Sequence, residues 1–422
     1  MPDMKDARPN ILLLLTDQQR VDTISALGSQ FGVETPNIDA LVREGVTFMD
    51  CHCTAPICSP SRSTLMTGRY PTEAGMPGNL YSPAPPLDPS NVGIGKLMRA
   101  AGYETAYHGK WHLGGSIQAH GFDTAEECSH DATTRELAAR FWRDRDWIEH
   151  ERPFFHVVSF LDPHDLYFYD PAERVEGFQR PWKNLERPAD SYPAIPASKR
   201  VDWPEERWGA YHRFYAERVA KVDRDIGILL DELRCSGFFS NTWIIFAADH
   251  GDMAGEQNIP FKGSFMYDGV TRVPLVVVPP RTRFLGDVTR KLQEAGQRGI
   301  QLNGQCSLID IVPTILDLAG QPTEPEMSGA SLLPWLMGER SDSTHEIAFA
   351  EWHGPRVFMA RRQDWKYVRY ADGGEELFCL QEDPHESVNR ADDPAAAAVK
   401  AELSAALDGH IAQLERNAVQ LF

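Results

Sequence analysis

Pro9-Asn10-Ile11-Leu12-Leu13-Leu14-Leu15-Thr16-Asp17 is an unbroken apolar run that stops on two polar residues. A strand with one wet face alternates apolar and polar residues, so an unbroken run implies a strand covered on both sides, as in a parallel or mixed sheet. The carboxyl end of such a strand is where α/β sheets place their ligands, which draws attention to Asp17. Two later stretches repeat the pattern. Pro153 to Leu161 ends in Asp162-Pro163-His164-Asp165, and Asn241 to Ala248 ends in Asp249-His250-Gly251-Asp252. Helices are expected over 36–45, from Ser61 to Thr67, from Val92 to Ala101 with Gly102 closing it, and between Ala216 and Leu233, where Val219, Val222, Ile226, Leu229 and Leu233 mark one face.

The texture changes near residue 340. Short strands are expected at Glu346–Glu351, Val357–Arg361, Trp365–Tyr370 and Glu376–Leu380, followed by an Ala/Leu-rich helix from Pro394 to about Leu414. The chain therefore reads as α/β, with a large mixed, mostly parallel sheet sandwiched by helices over 1–340. A small C-terminal α+β subdomain of antiparallel strands and one helix occupies 341–422. Residues 166–208 lack a pattern and are rich in Pro, Trp, Tyr and Arg, which makes them a candidate wall of a substrate pocket.

Composition removes several function classes. A net charge of −19 argues against general affinity for nucleic acid or anionic membrane, which are bound through clustered Lys and Arg. Ile11 to Leu15 is too short for a bilayer span or a signal-peptide core. Seven cysteines, an odd number widely spread, fit a reducing cytoplasm better than a disulfide framework. Cys51-x-Cys53-x4-Cys58 is followed by no second Cys/His pair at a zinc spacing. Gly93-Ile94-Gly95-Lys96 lacks the spacing of a phosphate loop.

Taken singly, Asp17 and Asp249 suit turns or helix caps. Together, strand ends that converge could give a hard cation the several oxygen ligands it needs. Lys110-Trp111-His112 places two cationic side chains in a glycine-bounded turn, where burial would call for an anion.

The run Cys58-Ser59-Pro60-Ser61-Arg62 and its continuation to Arg69 carries a specific resemblance. With Gly109-Lys110-Trp111-His112-Leu113-Gly114, Asp249-His250-Gly251 and Thr271-Arg272-Val273-Pro274, it resembles the sulfatase family of the alkaline phosphatase superfamily. The similarity extends from Pro9-Asn10-Ile11 to Glu376-Leu377-Phe378 and Asp383-Pro384. It implies an alkaline phosphatase-like fold and a sulfuric ester hydrolase. Cys58 would be oxidised to formylglycine by a separate formylglycine-generating enzyme and hydrated to a geminal diol, one hydroxyl attacking sulfur and the other expelling sulfate.

The resemblance further implies a divalent metal, Ca²⁺ or alternatively Mn²⁺, held by Asp17, Gln18, the residue-58 oxygen, Asp249 and His250. Asp249 would be the base, Arg62 the anchor of the formylglycine turn, and Lys110 and His112 the pair beside the diol. His164 and Lys262 would meet the sulfate and the leaving-group oxygen, with His164 the preferred acid because an ordinary imidazole titrates near working pH. Asn79 matches a polar contact to the transferred group. Gln18 and His250 depart from the Asp and Asn of many members, lowering ligand charge and adding nitrogen, which strengthens the case for Mn²⁺.

The expected substrate is a small anionic sulfate ester, such as a sulfated sugar or aryl sulfate. Trp352, His353 and Arg356 of the segment Glu351 to Arg356 are candidates for its recognition, with a domain interface as the other reading. The rival activities are phosphonate or phosphate mono- or diester hydrolysis and a non-catalytic binding role. Homo-oligomerisation is compatible with the sequence.

Overall fold

Ile11, Leu13 and Leu15 pack on one side of the strand they form and Leu12 and Leu14 on the other, and all are fully buried. The unbroken apolar run thus has two cores to serve. This is a computed structural model, describing residues 8–80, 83–145, 152–164, 201–281, 299–339, 343–353 and 356–419.

In chain order the main elements are β1 (Asn10–Asp17), α1 (Pro36–Glu44), β2 (Val46–His52), α2 (Cys58–Thr67), α3 (Ile94–Ala100), β3 (Glu104–Gly109), β4 (Thr124–Glu127), α4 (Asp131–Arg143), β5 (Phe154–Pro163), α5 (Glu205–Cys235), β6 (Thr242–Ala248), β7 (Leu275–Val278), β8 (Ile300–Ser307) and α6 (Ile311–Leu318). The eight strands form one sheet in the order β8-β2-β7-β6-β1-β5-β3-β4. Only β7 pairs antiparallel with its neighbours. Helices α1, α4 and α5 cover the face carrying Leu12 and Leu14, through Leu41, Trp142 and Ile226 among others. Helices α2, α3 and α6 cover the opposite face through Leu65, Met98 and Ile315.

Two helices differ from expectation in ways that matter for the site. Helix α2 begins at Cys58 rather than Ser61. Pro60 does not oppose this, because the first turn of a helix has no use for its N–H. Helix α5 begins at Glu205, so the last residues of the 166–208 segment are helical. Tyr211 and Tyr215, both fully buried, continue the apolar face one turn at a time toward the N-terminus. Residues 166–200 of the proposed pocket wall lie outside the described residues.

The C-terminal strands β9 (Ala348–Trp352), β10 (Val357–Arg362), β11 (Trp365–Tyr370) and β12 (Glu375–Cys379) form an antiparallel sheet in sequence order, followed by α7 (Ala397–Val419). One face receives Leu403 and Leu407 of α7 on Phe358, Tyr367 and Leu377. The other packs Trp352, Val357 and Val368 against Ile57 and Met266 of the larger unit. Fully buried Lys366 joins the two units ionically, pairing with Asp268 and lying 2.7 Å from the Glu386 carboxylate. Among the described residues no helix is long and apolar enough to cross a membrane.

Candidate active site

The parallel strands deliver their last residues to one place. Asp17 ends β1, Lys110 follows β3, His164 follows β5, and Asp249 and His250 follow β6. Gly109 makes the turn before Lys110 at φ +107°, with Ser159 O where a Cβ would stand, so only glycine fits. Cys58 opens α2 above these strand ends.

Arg62, one helical turn after Cys58 and only 2% exposed, ties the strand ends together. Its Nη2 donates to Asp17 Oδ2 and its Nε to Asp249 Oδ2, each at 2.8 Å, while Nη1 donates at 2.8 Å to Lys110 O and to Ser159 Oγ. A buried guanidinium needs this saturation of its donors, and the planar fork lets one side chain meet several partners at once. The N-terminus of α2 is fixed from outside: Ser59 N donates to Asn79 Oδ1 at 3.0 Å, Ser59 Oγ to His112 O at 2.7 Å, and Ser61 Oγ to Asp249 O at 2.5 Å.

Around the Cys58 sulfur stand Lys262 Nζ at 2.7 Å, His250 Nε2 at 3.4 Å, Lys110 Nζ at 3.6 Å and Asp17 Oδ1 at 3.8 Å. The side chains of His112 and His164 also interact with it. Burial and Asp17 push the Cys58 thiol up, but Lys110, Lys262 and His250 outweigh them and hold it well below its ordinary value. Burial likewise opposes ionisation of Asp17, yet Lys110, Lys262 and Arg62 keep that carboxylate charged. For Asp249, burial and the Asp17 charge prevail, raising it to about 6. The site is thus a pocket of positive groups around one nucleophile position, resting on two carboxylates of unlike affinity for protons.

Ligand atoms of Asp17, Cys58, Asp249 and His250 lie within 4.8 Å of one another, all buried. His250 Nδ1 is 2.9 Å from Gly251 O, an interaction that takes the ring proton and leaves Nε2 as the electron-pair donor. Gln18 Oε1 is buried without a hydrogen-bond partner among the described residues. Carboxylate, amide and imidazole donors with one amide oxygen uncommitted fit a divalent cation.

Several expectations are amended by the geometry. The reason for preferring His164 as the acid does not hold: burial first, then the Lys110 and Lys262 charges, bring it down to about 3. Lys262, by contrast, is raised, because Cys58, Asp17 and Asp249 outweigh its burial. Asn79 has its carbonyl oxygen committed to Ser59 N, so only its amide nitrogen is left for a ligand. Trp352 is no stacking platform; it is 5% exposed and belongs to the core shared with Ile57 and Met266. His353 is held at 2.7 Å by the Thr72 hydroxyl and at 3.1 Å by Glu351. Arg356 is exposed, at φ +47°, next to residues 354–355, which lie outside the described set.

Ser159 and Asp252 join the site without being expected there. Ser159 sits inside a buried strand like any small residue. Asp252 offered a signal, a second carboxylate three residues after Asp249.

The family model described as Sulfatase matches residues 9–321, and one described as N-sulphoglucosamine sulphohydrolase, C-terminal, matches residues 255–413. The ulvan-active sulfatase of Formosa agariphila is 28% identical over 446 residues, covering 96% of this chain and 82% of its own. A solved 2-O GAG sulfatase superposes with a TM-score of 0.81 at 25% identity, over 98% of this chain and 94% of that one. The phosphonate monoester hydrolase of Agrobacterium radiobacter superposes with a TM-score of 0.74 at 25% identity, over 96% of each chain. The chain belongs to the sulfatase family, hydrolases of sulfuric esters.

Proposed function

We propose that the protein hydrolyses the sulfate ester of a sulfated sugar to the free hydroxyl and inorganic sulfate, with residue 58 as nucleophile after oxidation of Cys58 to formylglycine. The observation that carries this is the setting of the Cys58 sulfur, fully enclosed with Lys262 Nζ at 2.7 Å and Lys110 Nζ at 3.6 Å. Positive groups fixed in a dry pocket stabilise an anionic transferring group without reorganising. The names of the compared sulfatases, ulvan-active and 2-O GAG, support a sugar.

The residues present would hold a divalent cation through Asp17, Gln18, Asp249 and His250 together with the residue-58 oxygen. Ca²⁺ suits the oxygen donors and Mn²⁺ the imidazole. When bound, the cation polarises the nucleophile oxygen and offsets charge on the sulfate oxygens. Formylglycine, as its hydrate, supplies one hydroxyl for attack on sulfur and a second that lets the aldehyde re-form as sulfate leaves.

The chain's own groups handle the protons. Asp249, raised to about 6, accepts the proton of the attacking hydroxyl. His112 is held below its ordinary value, foremost by burial, and so is a neutral acceptor for the second hydroxyl. Lys262 Nζ carries its proton and stands beside the nucleophile, a donor for the departing oxygen. His164, neutral between Lys110 and Lys262, is the partner whose protonation an incoming anion favours. Asn79 Nδ2 and Arg356 are the groups we assign to substrate contact. The seven free thiols support a cytoplasmic location, and conversion of Cys58 needs a formylglycine-generating partner.

Phosphonate ester hydrolysis is the second reading, favoured by the fold shared with the Agrobacterium radiobacter enzyme. Steady-state rates on an aryl sulfate and an aryl phosphonate monoester separate the two, and the sulfate is expected to be preferred. A large phosphonate preference reverses the assignment. Intact mass of the protein made beside a maturation system should show sulfur replaced by aldehyde oxygen. A thiol persisting there would favour a non-catalytic role.

A further inference from the structure

Gln18 is held from every side. Its backbone lies in the left-handed region at φ +66°. Its N–H donates to Asp249 Oδ1 at 3.1 Å and its carbonyl accepts from the Tyr215 hydroxyl at 2.7 Å. Its amide contacts Asp252 Oδ2 at 2.6 Å, and the other carboxylate oxygen of Asp252 accepts from Tyr211 OH at 2.8 Å and from Ala254 N at 2.6 Å. Arg20 Nη1 donates to Asp252 O at 2.8 Å, fixing the backbone as well.

A carboxylate is an acceptor, so the end of the Gln18 amide that faces Asp252 must be the nitrogen. That settles which way a side chain with two nearly isosteric ends points, and makes Oε1 the uncommitted end, buried and without a partner among the described residues.

We infer that Asp252, backed by Tyr211, is the residue that turns Gln18 to present oxygen rather than nitrogen to the cation. It is a positioning residue, acting through the hydrogen bond to Gln18 Nε2. The inference rests on the metal site proposed above. It also accounts for an amide standing next to Asp17: a carboxylate at position 18 would face the Asp252 carboxylate at hydrogen-bond distance, and the two charges would repel in a site closed to water.

The test uses the chelator-stripped full chain, titrated with CaCl₂ and separately with MnCl₂ by calorimetry and by the metal-induced rise in Tm. Asp252→Asn puts a donor where an acceptor was, so Gln18 turns its oxygen inward and the NH₂ toward the cation. Metal affinity should fall ~10–100-fold, the size of effect seen when the support of a ligand is removed. Adding Gln18→Glu to that variant restores complementarity, since the new amide at position 252 would donate to one carboxylate oxygen and leave the other for the metal. Binding should recover to within about threefold of wild type, and a structural lesion would not be repaired this way. Tyr211→Phe, which keeps the packing, should give a smaller loss in the same direction, and serves if Asp252→Asn folds poorly. Absence of any metal-induced response in the wild type would overturn the metal site and this inference together. A wild type that binds, with Asp252→Asn binding equally well or its loss unrepaired by Gln18→Glu, would overturn the inference alone.

Discussion

At the scale of single residues, Asn79 shows how one side chain can serve two masters. Its oxygen takes the buried N–H of Ser59 at the head of α2, leaving the NH₂ for a ligand. Asn79→Asp keeps the acceptor but places negative charge where sulfate is to bind. Stability should be retained, while KM for an aryl sulfate should rise about tenfold or more, which is about 1.4 kcal/mol of lost binding. Asn79→Ala should also lower stability, by about 1–3 kcal/mol for the orphaned N–H. Thermal denaturation and steady-state kinetics on both variants decide between these patterns; equal KM values would exclude the ligand contact. The residues drawn together here are legible in the sequence because each ends an apolar strand or sits in a distinctive run, as Asp17, Cys58 and Asp249 do. Trp352 is misleading for a physical reason: an aromatic residue beside a loop has the same sequence signature whether it faces a ligand or a neighbouring sheet. Only the packing of Ile57 and Met266 on it decides.

At the scale of elements, the strands of the large sheet legible in advance, β1, β5 and β6, are those with a long unbroken apolar run, whereas β9 to β12 are legible as short strand-like runs. β2 and β3 escape because each carries polar residues that the fold satisfies internally. His108 on β3, for instance, pairs at 2.8 Å with His156 on β5. Such partners are far apart in sequence, so pattern alone misses them. The same holds for Lys366 in β11, whose alternating strand gives no hint of a buried cation. Lys366→Met would leave Glu386 without its nearest cation and Asp268 with Arg361 at 3.7 Å, and should cost ~3–5 kcal/mol in urea denaturation. The pH dependence has a definite sign. Burial foremost, then the Asp268 charge, lift Glu386 from 4.5 to about 7 against the pull of Lys366. The folded state therefore holds this proton more tightly than the unfolded chain. The stability so gained is full below about pH 4.5 and is lost as pH rises through about 7. Glu386→Gln should flatten the stability curve across that window, and a curve parallel to wild type would refute the assignment.

At the scale of the molecule, the sheet order and the layers on its two faces follow from which runs are apolar on one side or both. The 341–422 boundary, which we propose as a subdomain limit, encloses one core of its own beneath α7 but cuts through a second that is shared with the larger unit. The residue before the nucleophile, Ile57, is covered by β9, β10 and β11, and Glu351 N donates to Thr54 O at 2.8 Å in the same approach to α2. A chain ending at residue 340 should therefore lose cooperative unfolding and any metal-induced rise in Tm, as followed by circular dichroism and size exclusion. A truncated chain that folds cooperatively would show the two units to be separable.

All ten residues of α2 are buried, and Cys58 is 1% exposed. Another protein cannot operate on a thiol enclosed in this way. The conversion we propose thus has a deadline, the moment at which β1 and β6 close beneath the helix, and under that proposal activity would record how fast the chain folded relative to the catalyst that met it. Native unconverted protein given the maturation enzyme should keep its mass, whereas the same protein unfolded and then diluted into that enzyme should lose its sulfur. Slowing the folding of this chain, by temperature or by a destabilising core substitution, should accordingly raise the share of molecules that are born active.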